Sequence, residues 1–297
     1  MNVYIRAMRA PFVTGSIVPV IIGTAFAFTE GSRSFSLFLV TAIGVAALHL
    51  GANLLNDYYD ARGSDPINLR LTPFSGGSRV IQNGEVTAGA VLMMAIIFFT
   101  IALAAAVWLI LANRILVLPL GLLGLFVCWA YSAPPLQLMS RGWGEIAIFF
   151  AFGPLVTFGA YYVMTGGLSL EAFTVGIPQG FLITGLIWIN QFPDYQADRE
   201  AGKRNLVVRI GPRISMYLYC LIMLLSFVSV VLLVSIMGFP YLIMLAFISF
   251  PLAFKAMRIT WREYLSHEKL IPAQALTIQT VITQGIILSL GLFLSCI

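Results

Sequence analysis

The sequence predicts an all-α, polytopic membrane protein of about nine transmembrane helices. They form two pseudo-repeated four-helix halves around a central cavity plus one extra helix, in a single domain over 1–297. Three observations carry that prediction. Of the 297 residues, 60% are hydrophobic and 10% charged, with a mean hydropathy of +0.94. A soluble domain averages about 45–50% and about 25%. Apolar runs near the roughly 20 residues that cross a bilayer recur along the chain. The basic residues alternate with those runs.

The expected spans are, in order, Phe12–Phe28, Phe35–Leu55, Ala88–Ala112, Ile115–Tyr131, Glu145–Thr165, Phe173–Gln191, Ile214–Met237, Tyr241–Met257 and Ile271–Ser295. The first follows Arg6 and Arg9, but it is full length and lacks a small-residue cleavage site, so a span is expected and not a cleavable leader. The fourth and sixth are the shortest. The fifth opens on Glu145, an acid that the helix dipole favours at an N-terminus.

The basic residues test this order. Arg6 and Arg9 precede the first span; Arg62, Arg70 and Arg79 follow the second, and Arg141 the fourth. Arg199, Lys203, Arg204, Arg209 and Arg213 follow the sixth, and Lys255, Arg258, Arg262 and Lys269 the eighth. Of the 17 Lys and Arg, all but Arg33 and Arg114 then share one face. The positive-inside rule puts that face, with the N-terminus, in the cytoplasm of a cell whose inner (plasma) membrane the chain spans. The same asymmetry accounts for the net charge of +5 with membrane lipid, and no nucleic acid, as partner. Cys128, Cys220 and Cys296 lie far apart in apolar segments and read as small hydrophobes, supporting neither a disulfide framework nor a zinc site.

The polar chemistry gathers in two loops. The first runs from about Asp57 to Glu85, entered through the acidic stretch Asn53-Leu-Leu-Asn-Asp57-Tyr-Tyr-Asp60-Ala-Arg-Gly-Ser-Asp65 and including Pro73-Phe-Ser-Gly-Gly-Ser-Arg79. The second runs from about Asn190 to Pro212 and holds Asp194 and Asp198. Acids at a membrane edge cost about 2.5–3.5 kcal/mol on insertion scales and so mark function. On a helix, Asn53, Asp57 and Asp60 share a face. Asn190-x-x-x-Asp194 echoes Asn53-x-x-x-Asp57 four spans later, the basis of the two-halves reading.

One acidic cluster alone would suit a cation site in a transporter. Two facing clusters flanked by Arg and Lys match another demand: two Mg²⁺ ions bridging a diphosphate, with cationic side chains on its outer oxygens. The metals would stabilise charge on a departing pyrophosphate. The alternatives are acids serving as topology markers or helix caps, and a cation-coupled transporter, whose acids should lie nearer the bilayer midplane.

The two acidic motifs resemble those of the UbiA superfamily of intramembrane aromatic prenyltransferases. Within it, Gly202-Lys203-Arg204-Asn205-Leu-Val-Val-Arg209-Ile-Gly211 is similar to the branch acting on 1,4-dihydroxy-2-naphthoate in menaquinone biosynthesis, as are Arg9-Ala10-Pro11, Pro19-Val-Ile-Ile-Gly-Thr-Ala25 and Tyr131-Ser-Ala-Pro-Pro-Leu136. The resemblance runs from the first span to about Gly211, and the last three spans add nothing diagnostic. It implies Mg²⁺-dependent transfer of a polyprenyl group from an allylic polyprenyl diphosphate to an aromatic acceptor, with decarboxylation in that branch; hydroxybenzoate, homogentisate, haem and a glycerophosphate lipid are the alternative acceptors, which would use the same metal site.

The resemblance further implies residue roles. Asp57, Asp60, Asp194 and Asp198, with Asp65, would hold Mg²⁺. Asn53 and Asn190 would orient a carboxylate or touch the diphosphate. Lys203, Arg204, Arg70 and Arg79 would bind phosphate oxygens, with Arg9 and Arg141 as further substrate-binding candidates. Gln137 and Met139 stand where the family frequently places a basic residue. Tyr131 would face the reacting carbon and steady a carbocation through its ring; the other reading is an interfacial aromatic. His49, on the helical face of Asn53, is either a contact for acceptor or water or a buried, hydrogen-bonded histidine. His267 reads as a plain loop residue.

Overall fold

Eight helices of the computed structural model, which describes residues 2–296, are long and apolar enough to cross a bilayer. The chain is 78% helical, without a strand among the described residues. Two short N-terminal turns, Val3–Ala7 and Ala10–Val13, lead into α1 (Thr14–Thr29). Then come α2 (Phe35–Asp60), α3 (Ala88–Leu111) and α4 (Val117–Ser132). At 16 residues, α4 is the short apolar helix that joins the eight. A single turn, Leu138–Arg141, precedes α5 (Gly144–Thr165). The rest are α6 (Ile177–Glu200), α7 (Pro212–Ser235), α8 (Phe250–Glu263, entered through a 3₁₀ segment over Tyr241–Ser249) and α9 (His267–Leu294).

The helices outrun the apolar runs. α2 continues to Asp60, and α6 to Glu200 through Pro193. The two polar loops therefore begin later than the expected Asp57 and Asn190. Hydropathy falls where a helix leaves the bilayer, whereas its hydrogen-bonded ladder ends only where a residue breaks it. A proline inside a helix removes one donor, and α6 accommodates it. At the other end, the expected start of the sixth span at Phe173 falls in a separate short helix, Leu170–Thr174, that stops before α6.

α5 carries a wider turn over Ala151–Leu155, around Pro154. Such π-type turns form where the regular ladder is interrupted, and they cluster at functional sites. Here Gly153 meets α6. A Cβ on Gly153 would stand 2.5 Å from the Gly180 Cα, so only glycine allows this crossing. The crossing fixes α6 against the wall of the site.

The most populous cluster of buried apolar side chains lies behind α6, where Leu182, Trp188 and Ile189 pack with Tyr219, Met223 and Phe227 of α7 and with Ala273 and Val281 of α9. A polar seam runs through it. Gln274, Thr277, Thr280 and Gln284 of α9 are all buried. The Tyr219 hydroxyl lies 2.6 Å from Thr277 Oγ1, and Ser226 Oγ donates to Gln284 Oε1 at 2.9 Å. Side-chain hydrogen bonds of this kind set helix register inside a bilayer. On the outside, Met93, Ile96 and Ile97 of α3, Leu123 and Phe126 of α4 and Leu221 and Leu224 of α7 are exposed. Apolar surface so extensive belongs against lipid.

Candidate active site

A cavity of about 470 Å³ opens between α1, α2, α3, α4, α5 and α6. Among the described residues, none of α7, α8 or α9 lines it. Its walls are of two kinds. One end is polar, with Arg9, Asn53, Asn56, Asp60, Asp65, Asn68, Asn190, Asp194, Asp198 and Lys203. The rest is hydrocarbon, with Phe99, Leu103 and Leu109 from α3, Leu118 and Leu122 from α4, and Leu155 and Val163 from α5.

Helix geometry puts the acids there. Asp60 occupies the last turn of α2, and Asp194 and Asp198 the extension of α6 beyond its apolar part. Lys203 joins the two. Its Nζ lies 2.9 Å from Asp60 Oδ1 and 3.4 Å from Asp198 Oδ1. Asn56 Nδ2 donates to Asp60 Oδ2 at 3.1 Å, and Asn205 Nδ2 to Asp198 Oδ2 at 2.8 Å. Asn68, from the first loop, donates to Asp194 Oδ1 at 2.7 Å across 126 residues of sequence. The carboxylates of both motifs thus belong to one site.

Asp57 is placed differently. It is buried behind the cavity wall, where its carboxylate accepts the Ser78 backbone N–H at 3.2 Å and lies 3.7 Å from Arg9 Nη1. Arg9 also donates to Asn56 Oδ1 at 3.3 Å, so Asp57 steadies both an arginine of the cavity and the loop that closes over it. That loop passes Asp65 through Gly77 at φ +74°, where a Cβ would stand 2.5 Å from Asp65 Oδ2. Asp65 itself is buried and lines the cavity. Gln82 Nε2 donates to its Oδ2 at 3.1 Å, and the Arg79 guanidinium holds its backbone carbonyl.

The electrostatics follow from this crowding. Burial, then the neighbouring charges of Asp60 and Asp57, push Asp65 up to about 7 against the pull of Lys203 and Arg9. Burial weighs on the Lys203 ammonium, but Asp60 and Asp198 outweigh it and raise its pKa above the ordinary lysine value.

Of the cations named from the sequence, Arg9 and Lys203 line the cavity; Arg70, Arg79, Arg141 and Arg204 do not. Arg141 and Arg204 are exposed. Their backbone carbonyls each accept from Arg209 at 2.7 Å, and the Arg204 N–H donates to the Ser140 carbonyl. Asn53 donates to the Met8 carbonyl at 3.2 Å, and Asn190 accepts from Gln274 at 3.0 Å. Tyr131 lines the cavity, as does His49, which bonds Ser16 and meets the Phe152 ring edge-on. Glu145 does more than start a helix. It is buried, and its Oε1 accepts from Gln191 at 2.9 Å and from the Leu206 N–H at 3.1 Å.

Asn56, Asn68 and Asn205 were not singled out from the sequence. The first and last sit inside the acidic and basic stretches, and their carboxamide chemistry was the available signal. Asn68 sits in the first polar loop outside both acidic motifs and offered none.

Among the described residues no three His, Cys, Asp or Glu side chains are gathered as a ready metal cage. Mg²⁺ needs none, because it takes one or two carboxylates together with water and substrate phosphate. Asp60, Asp65, Asp194 and Asp198 offer hard oxygen donors to one cavity, a donor set that fits it.

The sequence profile of the UbiA prenyltransferase family matches residues 16–294. The chain is 28% identical to 1,4-dihydroxy-2-naphthoate octaprenyltransferase of Escherichia coli (strain K12), over 98% of this chain and 95% of that one. It is 28% identical to UbiA prenyltransferase domain-containing protein 1 of Xenopus tropicalis, over 86% of this chain and 72% of that one. Its fold is similar to that of a UbiA homologue from Archaeoglobus fulgidus bound to GPP and Mg²⁺, with a TM-score of 0.64 at 17% identity, over 97% of this chain and 100% of that one. The chain belongs to the UbiA prenyltransferase family.

Proposed function

We propose that this UbiA-family enzyme transfers a polyprenyl group from an allylic polyprenyl diphosphate to 1,4-dihydroxy-2-naphthoate, with Mg²⁺ as cofactor and loss of the ring carboxylate, as a step in menaquinone biosynthesis. The observation that carries the reading is the two-sided cavity, with acids of both motifs and Lys203 at one end and hydrocarbon along the rest. That division matches an amphiphile with a diphosphate head and an isoprenoid tail. The near full-length likeness to the Escherichia coli naphthoate enzyme supports the acceptor, and the fold shared with the GPP- and Mg²⁺-bound homologue supports the donor and metal.

Asp60, Asp65, Asp194 and Asp198 would hold the metal, two ions in this reading. Bound Mg²⁺ supplies Lewis-acid stabilisation of charge on the departing diphosphate. Lys203 and Arg9 bind the diphosphate oxygens, and Asn53 and Asn190 orient the groups beside them. Asp57 acts through Arg9 and the Ser78 loop. As the allylic C–O bond breaks, the Tyr131 ring face steadies the positive charge on the prenyl carbon. The ring carbon of the acceptor then forms the new C–C bond, and its carboxylate leaves as carbon dioxide. The apolar walls keep water from the cation. The basic-residue asymmetry favours a site on the cytoplasmic side of the inner membrane, with the N-terminus on the same side.

Mass spectrometry of the products formed from mixed acceptors and prenyl diphosphates tests the assignment. The expected product is a prenylated, decarboxylated naphthalene diol. Prenylated hydroxybenzoate or homogentisate as the main product would move the acceptor, and no prenylated ring from any acceptor would overturn the reading.

A further inference from the structure

The two carboxylates at the join of the motifs share one ammonium. Lys203 Nζ forms ion pairs with Asp60 Oδ1 at 2.9 Å and Asp198 Oδ1 at 3.4 Å, while Asn56 donates to Asp60 Oδ2 and Asn205 to Asp198 Oδ2. A divalent cation entering between the two helices meets that positive charge first, and the repulsion is relieved only when the ammonium moves aside.

The lysine is held where it is by its backbone. The Lys203 N–H donates to the Asp198 carbonyl at 2.8 Å, the Arg204 N–H to the Ser140 carbonyl at 2.7 Å, and the Leu206 N–H to Glu145 at 3.1 Å. The side chain is 13% exposed and lines the cavity. A lysine ends in a compact charge on a flexible four-carbon stem, with three donors that reorient freely. Its ammonium can thus swing from the acids toward an anion in the adjoining cavity while the loop stays docked.

We propose that Lys203 is a built-in counter-ion of the metal site, closing the Asp60–Asp198 pair against free Mg²⁺ and giving way only when the metal arrives with a diphosphate, whose oxygens then take the ammonium. The inference rests on the reading of these acids as the metal site. It makes metal and diphosphate binding synergistic. Either ligand alone meets an unfavourable charge, the metal the Lys203 ammonium seated between the acids and the diphosphate the excess of carboxylates around it.

Mn²⁺ binding to the purified full chain, followed by electron paramagnetic resonance with free Mn²⁺ buffered, tests this with and without inorganic pyrophosphate. Wild type should bind Mn²⁺ weakly alone and about ten-fold or more tightly with pyrophosphate. Lys203→Met should bind Mn²⁺ alone about ten-fold more tightly than wild type and lose most of the pyrophosphate effect. Lys203→Arg keeps a cation between the acids and should follow wild type. Equal or weaker Mn²⁺ binding by Lys203→Met overturns the proposal. So does a wild-type affinity indifferent to pyrophosphate, an arm that needs no variant to fold. Neither arm contains an aromatic acceptor, so failure here and failure of the prenyl-transfer reading are separate results.

Discussion

Asp65 shows what the site costs at the level of single residues. Its carboxyl titrates near 7 because burial and two neighbouring acids disfavour its charge. A group whose folded pKa lies above its unfolded value stabilises the fold when protonated, and that contribution fades as pH rises from about 4 through about 7. The metal-free protein in detergent should therefore lose a few degrees of melting temperature between pH 5 and pH 8. Asp65→Asn, which keeps the shape without the charge, should flatten that slope; an unchanged slope in the variant would assign it to other groups. Asp194 and Asp198 were legible in the sequence because i, i+4 spacing on a helix fixes a common face, whereas Asp57, three residues before Asp60, turns behind the cavity wall onto the Ser78 loop. Of the six cations only Arg9 and Lys203 line the cavity. Arg70, Arg79, Arg141 and Arg204 lie in or beside loops, where the backbone path decides which guanidinium turns inward, and no periodicity reports that path.

Among the elements, the α5–α6 crossing sets the position of the second motif. Gly153→Leu would drive a side chain into Gly180 and the Gly176 carbonyl. Overpacking of this kind costs about 1–3 kcal/mol, and more against backbone. The expected result is a lower melting temperature together with weaker prenyl transfer. Gly89→Ala, on α3 with open space around it, should change neither. The apolar runs located the nine long helices of the described residues, α1 to α9, but not the wider turn in α5 or the 3₁₀ entry to α8, because hydropathy is blind to how a helix is wound. The α9 seam was equally hidden. Gln274, Thr277, Thr280 and Gln284 fall at helical spacing, yet only the packing of α7 and α6 against them turns that spacing into a buried hydrogen-bonded line.

Across the whole molecule, two helix ends about 140 residues apart meet over one cavity, and everything proposed for its chemistry depends on their meeting. The repeated Asn-x-x-x-Asp motif hinted at this convergence. The contact through Lys203 and the Asn68 bridge to Asp194 gives it a geometry. Residues that act as a unit lose function non-additively, since removing either one already disables the set. Transfer of radiolabelled polyprenyl groups in membranes carrying Asp60→Asn, Asp198→Asn or both is therefore the decisive measurement. Each single variant should lose about 100-fold or more of its rate, and the double variant should be hardly worse than either. Undiminished transfer in one single variant, or losses that simply multiply in the double, would show that the two acids do not share a site.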